Sequence, residues 1–212
     1  MDPELLEEAI KDRIAKNTKK PKAIIPVALY GMPYQIYRIL EVANRYDIPV
    51  IEDAAEGFGS KFNGQVLGTF GRYGVISFNG NKMITTVGGG TLICPDDASR
   101  KEIMWNATQA RESYPYYQHE VVGYNYRLSN ISACIGQAST AVTDCQLNDN
   151  VEALRIALYG ANIESRPLLK PMHKQPVFKN ASAYINGISE SLFKVGICLP
   201  TGPWAMNRSD TL

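Results

Sequence analysis

Lys82 follows the apolar segment Val75 to Phe78, and Ser77 stands five residues before it. Upstream, Asp53 closes the apolar run Ile48-Pro49-Val50-Ile51, within Glu52-Asp53-Ala54-Ala55-Glu56. An amine, a carboxylate and a hydroxyl at the ends of strand-like segments make a useful set. A lysine amine condenses with a carbonyl carbon. A carboxylate keeps a proton on a ring nitrogen. A hydroxyl donates to a phosphate.

Pyridoxal phosphate (PLP) chemistry needs these three groups together. Asp53 stands where open α/β sheets bind ligands, outside the carboxyl end of a strand. A Schiff-base lysine attacks in its neutral form, which a partly desolvated site favours. Taken singly, each residue has a plainer reading. Asp53 then caps a helix or sits in a turn, Lys82 is a solvated turn lysine, and Ser77 is a polar strand residue.

Other chemistries lack their residues. Gly80-Asn81-Lys82-Met83 has no adjacent Gly-Lys-Ser/Thr, so it is not a P-loop. Ser77 is not in a G-x-S-x-G elbow. With only two histidines, His119 and His173, and no clustered thiols, no metal site is expected. Gly88-Gly89-Gly90 reads as a tight turn rather than an anion cradle. The formal charge of +1 gives no electrostatic case for nucleic acid or an anionic membrane. The basic cluster from Lys16 to Lys22 reads as a solvated loop. The four cysteines, Cys94, Cys134, Cys145 and Cys198, form no C-x-x-C pair. They suit a reducing cytoplasm, not a disulfide framework. No apolar run approaches the roughly 20 residues of a membrane span, and the acidic start Asp2-Pro3-Glu4 is not that of a signal peptide.

The elements that must carry these residues follow from periodicity. Asp2-Pro3 reads as an N-cap and first helical residue, opening an amphipathic helix over 3–16. Ala23 to Leu29 is a continuous apolar strand. Pro33 to Tyr46 is a second amphipathic helix, and Ile48 to Asp53 a second strand. This is a βαβ unit on a buried parallel sheet. Asn63-Gly64 predicts a hairpin. Val75 to Phe78 is a short strand. Met83 to Thr86 and Thr91 to Cys94 are read as strands around the glycine turn. Asp97 is expected to cap a helix running to about Ala110. Tyr114 to Tyr126 is an aromatic loop, and Ser129 to Ala141 a helix of small residues. Val151 to Gly160 and Ser189 to Val195 are helices, and Gly196 to Leu199 is a strand that Pro200 to Pro203 breaks.

In order and spacing, the chain resembles the DegT/DnrJ/EryC1/StrS family of sugar aminotransferases. The resemblance rests on Pro26 to Gly31, Ile51 to Glu56, Ser77 to Lys82, Gly88 to Gly90 and Gly123-Tyr124-Asn125-Tyr126-Arg127. Ser165 to Leu168, Lys170 to His173 and Cys198-Leu199-Pro200 extend it to about Trp204. It implies a PLP-dependent transferase type I fold: a three-layer α/β/α large domain, then a small α+β segment. Residues 1–145 would be the partial large domain and 146–212 the partial small one.

The resemblance also implies roles. Lys82 would be the Schiff-base lysine and proton shuttle, and Asp53 would pair with the pyridinium nitrogen. Ser77 would bind the phosphate. Glu56 would lie near the cofactor's phenolic oxygen, where relatives often have glutamine, a departure that bears on the ring's protonation. Asn125 would reach the phosphate of a neighbouring subunit's cofactor in a homodimer. Arg166, Lys170 and His173 would line the nucleotide-sugar site. The implied reaction is amino transfer, from glutamate, to a nucleotide-linked keto sugar. The tail most resembles enzymes of 4-keto-6-deoxy N-acetylated UDP-sugars. A related dehydratase branch has histidine at position 82, so lysine favours transamination.

The sequence also departs from the family. Relatives have a long segment before the equivalent of residue 1, with a phosphate-binding turn and an aromatic that stacks on the cofactor. They have a longer stretch where this chain has Ser139 to Asn150, and a terminal helix after Trp204. Ala28 replaces a frequent histidine. The chain thus reads as a family member shortened at both ends and internally. Two rival readings stand: a non-catalytic dimerising paralogue, and a nucleotide-sugar binding module without PLP.

Overall fold

The computed structural model describes residues 1–17, 19–130, 132–133, 145–147 and 150–199. In chain order the elements are α1 (Pro3–Asn17), α2 (Ile36–Arg45), β1 (Ile51–Asp53), β2 (Lys61–Phe62), β3 (Gln65–Val66), β4 (Tyr73–Ser77) and β5 (Gly90–Ile93). There follow α3 (Asp97–Ala107), β6 (Cys145–Leu147), α4 (Val151–Gly160), β7 (Arg166–Pro167), α5 (Ile188–Val195) and β8 (Gly196–Cys198). They form two compact units, Pro21–Ser139 and Met1–Lys20 with Thr140–Leu212. This differs from the expected division at 145/146, because α1 belongs with the C-terminal unit.

In the Pro21–Ser139 unit, β1 pairs in parallel with β4, and β4 pairs antiparallel with β5. Beyond β1, Ile24 and Val27 make parallel bridges to Val50 and Asp53. The strand expected over Ala23 to Leu29 is therefore reduced to two bridges. Pro26 has no N–H to donate, which suits a sheet edge. Its carbonyl accepts from the Asp53 amide at 2.9 Å.

Helix α2 buries Ile36, Ile39, Val42 and Ala43. These recur at helical spacing, so one stripe faces the core with Ile24, Ile48, Val50, Leu67 and Ile76. Complete burial of Ile36 or Ile39 contributes roughly 1.5–3 kcal/mol each. The expected hairpin joins β2 to β3. Asn63 and Gly64 both have positive φ, 48° and 84°, as a type I′ turn requires.

Glu52, the middle residue of β1, is 1% exposed. Its carboxylate accepts from the backbone amides of Gly68, Phe70 and Gly71 at 3.1, 2.5 and 2.6 Å. Charge-assisted bonds of this kind offset the cost of burying the charge. They tie the 68–71 loop to β1 just before β4 begins. The buried Tyr34 hydroxyl lies in the same neighbourhood. Burial first, then the Glu52 charge, pushes its ionisation far above the ordinary phenol value.

Two expectations are corrected here. Met83 to Thr86 is not a strand. The Thr86 amide donates to the Phe78 carbonyl at 3.0 Å, and the Thr85 hydroxyl accepts from the Val87 amide at 3.1 Å. Such local bonds compete with a ladder, and only Gly90 onward pairs with β4. Asp96, not Asp97, caps α3. Its extended backbone lets Oδ1 accept from the Ser99 amide at 2.7 Å, while Asp97 pairs with Arg100 and Lys101.

In the other unit, β8 lies between β6 and β7, antiparallel to both. Asp2 caps α1, as expected, by accepting from the Glu4 and Leu5 amides. Asp12 accepts from the Tyr184 hydroxyl, and Asp2 from the Asn186 side chain, so α1 is tied to the segment leading into α5. Ile10, Leu168 and Ile197 are buried there. Asn150 caps α4 by accepting from the Ala153 amide. The helix expected over Ser129 to Ala141 and the segment from Pro200 onward lie largely or wholly outside the described residues. No described helix is long and apolar enough to cross a membrane.

Candidate active site

The parallel pairing of β1 with β4 places the first two candidate residues. Asp53 ends β1 and lies opposite Val75 on β4. Ser77 ends β4 two residues later. Side chains alternate along a strand, so Asp53, Val75 and Ser77 belong to one face of the sheet. Both polar residues stand at carboxyl ends of parallel strands, where open α/β sheets hold ligands.

Asp53 Oδ1 accepts from the Ala55 amide at 3.1 Å, which fixes the carboxylate at the strand end. The Ser77 hydroxyl accepts from the Asn79 amide at 3.3 Å. A hydroxyl that accepts keeps its own proton to donate. Beyond Ser77 the chain turns, closed by the Lys82 amide on the Asn79 carbonyl at 3.0 Å. Phe78 packs edge-on against Phe58, with ring centroids 6.2 Å apart.

From this turn Lys82 reaches back to the loop after β1. Its Nζ donates to Glu56 Oε1 at 3.2 Å, and the two side chains are 17% and 25% exposed. The other carboxylate oxygen, Oε2, accepts from the Tyr30 amide at 2.7 Å. Lys82, Glu56, Asp53 and Ser77 thus stand on two adjacent strands and the segments that leave them. An amine for a carbonyl, a carboxylate for a ring nitrogen and a hydroxyl for a phosphate match PLP's three handles. The donor set fits that group.

The remaining candidates are carried by other segments. Asn125 makes an antiparallel bridge with Thr108, and its side chain is exposed. Arg166, Lys170 and His173 are in the C-terminal unit. The Arg166 guanidinium bonds Glu164 Oε1. His173 Nε2 lies 2.9 Å from Glu190 Oε1, and Lys174 Nζ lies 2.9 Å from Oε2. Lys174 first, then His173, holds the Glu190 carboxyl below its ordinary value. Lys170 is exposed, and its carbonyl accepts from Gln175.

Sequence reasoning missed Tyr30 and Glu52. Tyr30 contributes through its backbone, at φ 57° and ψ 24°. The Tyr30-Gly31 turn after an apolar run was the available signal. Glu52 contributes through burial, and nothing in Glu52-Asp53 says which carboxylate faces the core. The Glu56–Lys82 pair spans 26 residues, so no local spacing reveals it.

The family model of the DegT/DnrJ/EryC1/StrS aminotransferase family matches residues 1–147. EpsN of Bacillus subtilis (strain 168) is 38% identical, over 95% of this chain and 64% of EpsN. GDP-perosamine synthase of Escherichia coli O157:H7 is 32% identical, over 98% of this chain and 68% of that enzyme. A solved DegT DnrJ EryC1 StrS aminotransferase from Brucella abortus superposes with TM-score 0.82 at 26% identity, over 96% of this chain and 65% of that one. The chain spans about two thirds of the length of these relatives. The EpsN match runs over 248 residues, more than the 212 of this chain, so EpsN carries internal residues with no counterpart here. The fold is a partial PLP-dependent transferase type I fold, and the aminotransferases of the family are PLP-dependent. This chain belongs to the DegT/DnrJ/EryC1/StrS aminotransferase family.

Proposed function

We propose that this chain has the function of a PLP-dependent aminotransferase that moves an amino group from glutamate to a nucleotide-linked keto sugar. The observation that carries the reading is the joint placement of Asp53, Ser77 and Lys82 around the carboxyl ends of β1 and β4. Bound there, PLP would supply an electrophilic carbonyl carbon and an electron-withdrawing ring.

The residues of the chain divide the work. Asp53, steadied by the Ala55 amide, keeps a proton on the ring nitrogen through its carboxylate. Ser77 donates its hydroxyl proton to a phosphate oxygen. Lys82 would hold PLP covalently through Nζ at the carbonyl carbon, whose oxygen would leave as water, and as a free amine it would move a proton at the substrate carbon. Glu56 faces Nζ and sets where the amine rests. Arg166, Lys170 and His173 offer donors suited to a nucleotide diphosphate, and Asn125 offers an amide to a second subunit's phosphate in a homodimer. GDP-perosamine synthase, named for a nucleotide-sugar product, supports the substrate class. A cytoplasmic location suits the thiols of Cys94 and Cys198, which are not joined in a disulfide.

The test is incubation with PLP, then borohydride, then peptide mapping. The expected result is a reduced adduct on Lys82, absent in Lys82→Ala, and loss of the visible band on adding glutamate. Absence of any adduct on Lys82 overturns the reading. An adduct without a response to glutamate overturns the transfer step and leaves a cofactor-binding protein.

A further inference from the structure

We propose that Glu56 is a clasp on Lys82, a positioning residue that holds the amine until a carbonyl compound draws it off. Three observations carry this. First, Glu56 uses both oxygens, Oε2 on the Tyr30 amide and Oε1 on Lys82 Nζ. Second, both side chains are sheltered, at 17% and 25% exposed, so solvent screens the pair less than a surface pair. Third, the anchor is a specialised piece of backbone.

That anchor is Tyr30, in the left-handed region at φ 57° and ψ 24°. A non-glycine residue there costs free energy and persists only when its surroundings impose it. The Gly31 and Met32 amides close the turn on the Ala28 and Leu29 carbonyls, at 3.2 and 3.1 Å. Gly31 follows at φ 74°, and a Cβ on it would crowd the Glu56 carbonyl at 3.2 Å. The turn therefore aims the Tyr30 amide at Glu56 and lies close against its backbone.

Anchoring one oxygen changes the pair. An ion pair between two free side chains loses part of its gain to side-chain entropy. Glu56 is already fixed by Tyr30, so Oε1 is presented in place and Lys82 alone must be ordered. The Lys82 amine is therefore engaged with Glu56 before any carbonyl reaches it. The consequence for PLP capture rests on the proposed function; the clasp itself does not.

The test needs no PLP. The chain and its Glu56→Gln variant are reductively methylated with formaldehyde and cyanoborohydride, and each lysine is followed by peptide mass. Exposed Lys61 is the internal reference. Glutamine keeps an acceptor for the Tyr30 amide and loses the charge that holds Nζ. Lys82 is expected to label several-fold faster relative to Lys61, with a cooperative urea transition retained. Glu56→Asp, too short to span both partners, is expected to free Lys82 likewise and serves if the glutamine variant does not fold. An unchanged Lys82-to-Lys61 ratio in a folded variant overturns the clasp. So does a general rise at all lysines, which marks a merely structural role. A parallel PLP and borohydride arm separates the two readings. With no PLP adduct on Lys82 in either protein, the proposed function fails while the formaldehyde ratio still decides the clasp.

Discussion

Asp53 and Ser77 share one face of the sheet, on neighbouring parallel strands, with Ser77 two residues beyond Asp53's ladder partner Val75. Strand spacing and rise set their Cα atoms roughly 8 Å apart. A carboxylate and a hydroxyl are thereby fixed at the two ends of a short span. The backbone ladder sets that spacing, so neither residue depends on a flexible loop.

Asp53→Asn isolates the charge. Asparagine keeps an oxygen for the Ala55 amide, so the strand end is preserved. It cannot hold a proton on a ring nitrogen by charge. On the proposed function, the half-reaction with glutamate falls about 100-fold or more, a loss of the size seen when one preorganised electrostatic partner is removed. Stopped-flow absorbance of the PLP-loaded protein checks this. An unchanged rate removes Asp53 from the site.

Glu52→Gln tests the adjacent carboxylate, which has a different task. Glu52 is buried and accepts from three backbone amides. Glutamine accepts through one oxygen and brings an NH2 group toward the Phe70 or Gly68 amide. Leaving a buried donor without an acceptor costs roughly 1–3 kcal/mol. The urea midpoint should fall accordingly, with no change in Lys82 labelling beyond the general loss of stability.

Much of this was legible in sequence, and the limits have physical reasons. Helices α1, α2 and α4 follow from apolar residues at helical spacing, and the Asn63-Gly64 turn from its need for positive φ. That Asp53 ends β1 follows from an apolar run that stops at a carboxylate. Met83 to Thr86 has a strand-like sequence, but Thr85 and Thr86 satisfy nearby backbone groups and so withdraw the segment from the sheet. Asp96 and Asp97 are adjacent and chemically identical, and only the backbone at Asp96 settles which one caps. The Glu56–Lys82 contact depends on how β1 and β4 pair, and pairing is a tertiary fact.

Gly74→Ala tests how closely the 68–71 loop lies against β4. A Cβ on Gly74 would overlap the Gly68 backbone, and no flexible side chain is there to move aside. Gly68 is itself held by Glu52. Overpacking against backbone on this scale costs about 3 kcal/mol. The expected outcome is loss of the cooperative urea transition or a large fall in its midpoint. A normal transition would mean that the 68–71 loop can draw back from β4.

The acid limb of stability tests the cap of α3. The Ser99 amide, then its hydroxyl, holds the Asp96 carboxyl below its ordinary value of 3.8. A carboxyl lowered on folding gives stability that is fully present above the unfolded value and is lost as pH falls through the folded one. Asparagine caps helices about as well as aspartate but does not titrate. Asp96→Asn should therefore leave the urea midpoint at neutral pH nearly unchanged and make its decline shallower below about pH 4. Asp96→Ala should lower the midpoint at neutral pH as well. If the asparagine variant declines as steeply as the parent, the acid limb belongs to other lowered carboxyls, Glu190 and Asp97 among them.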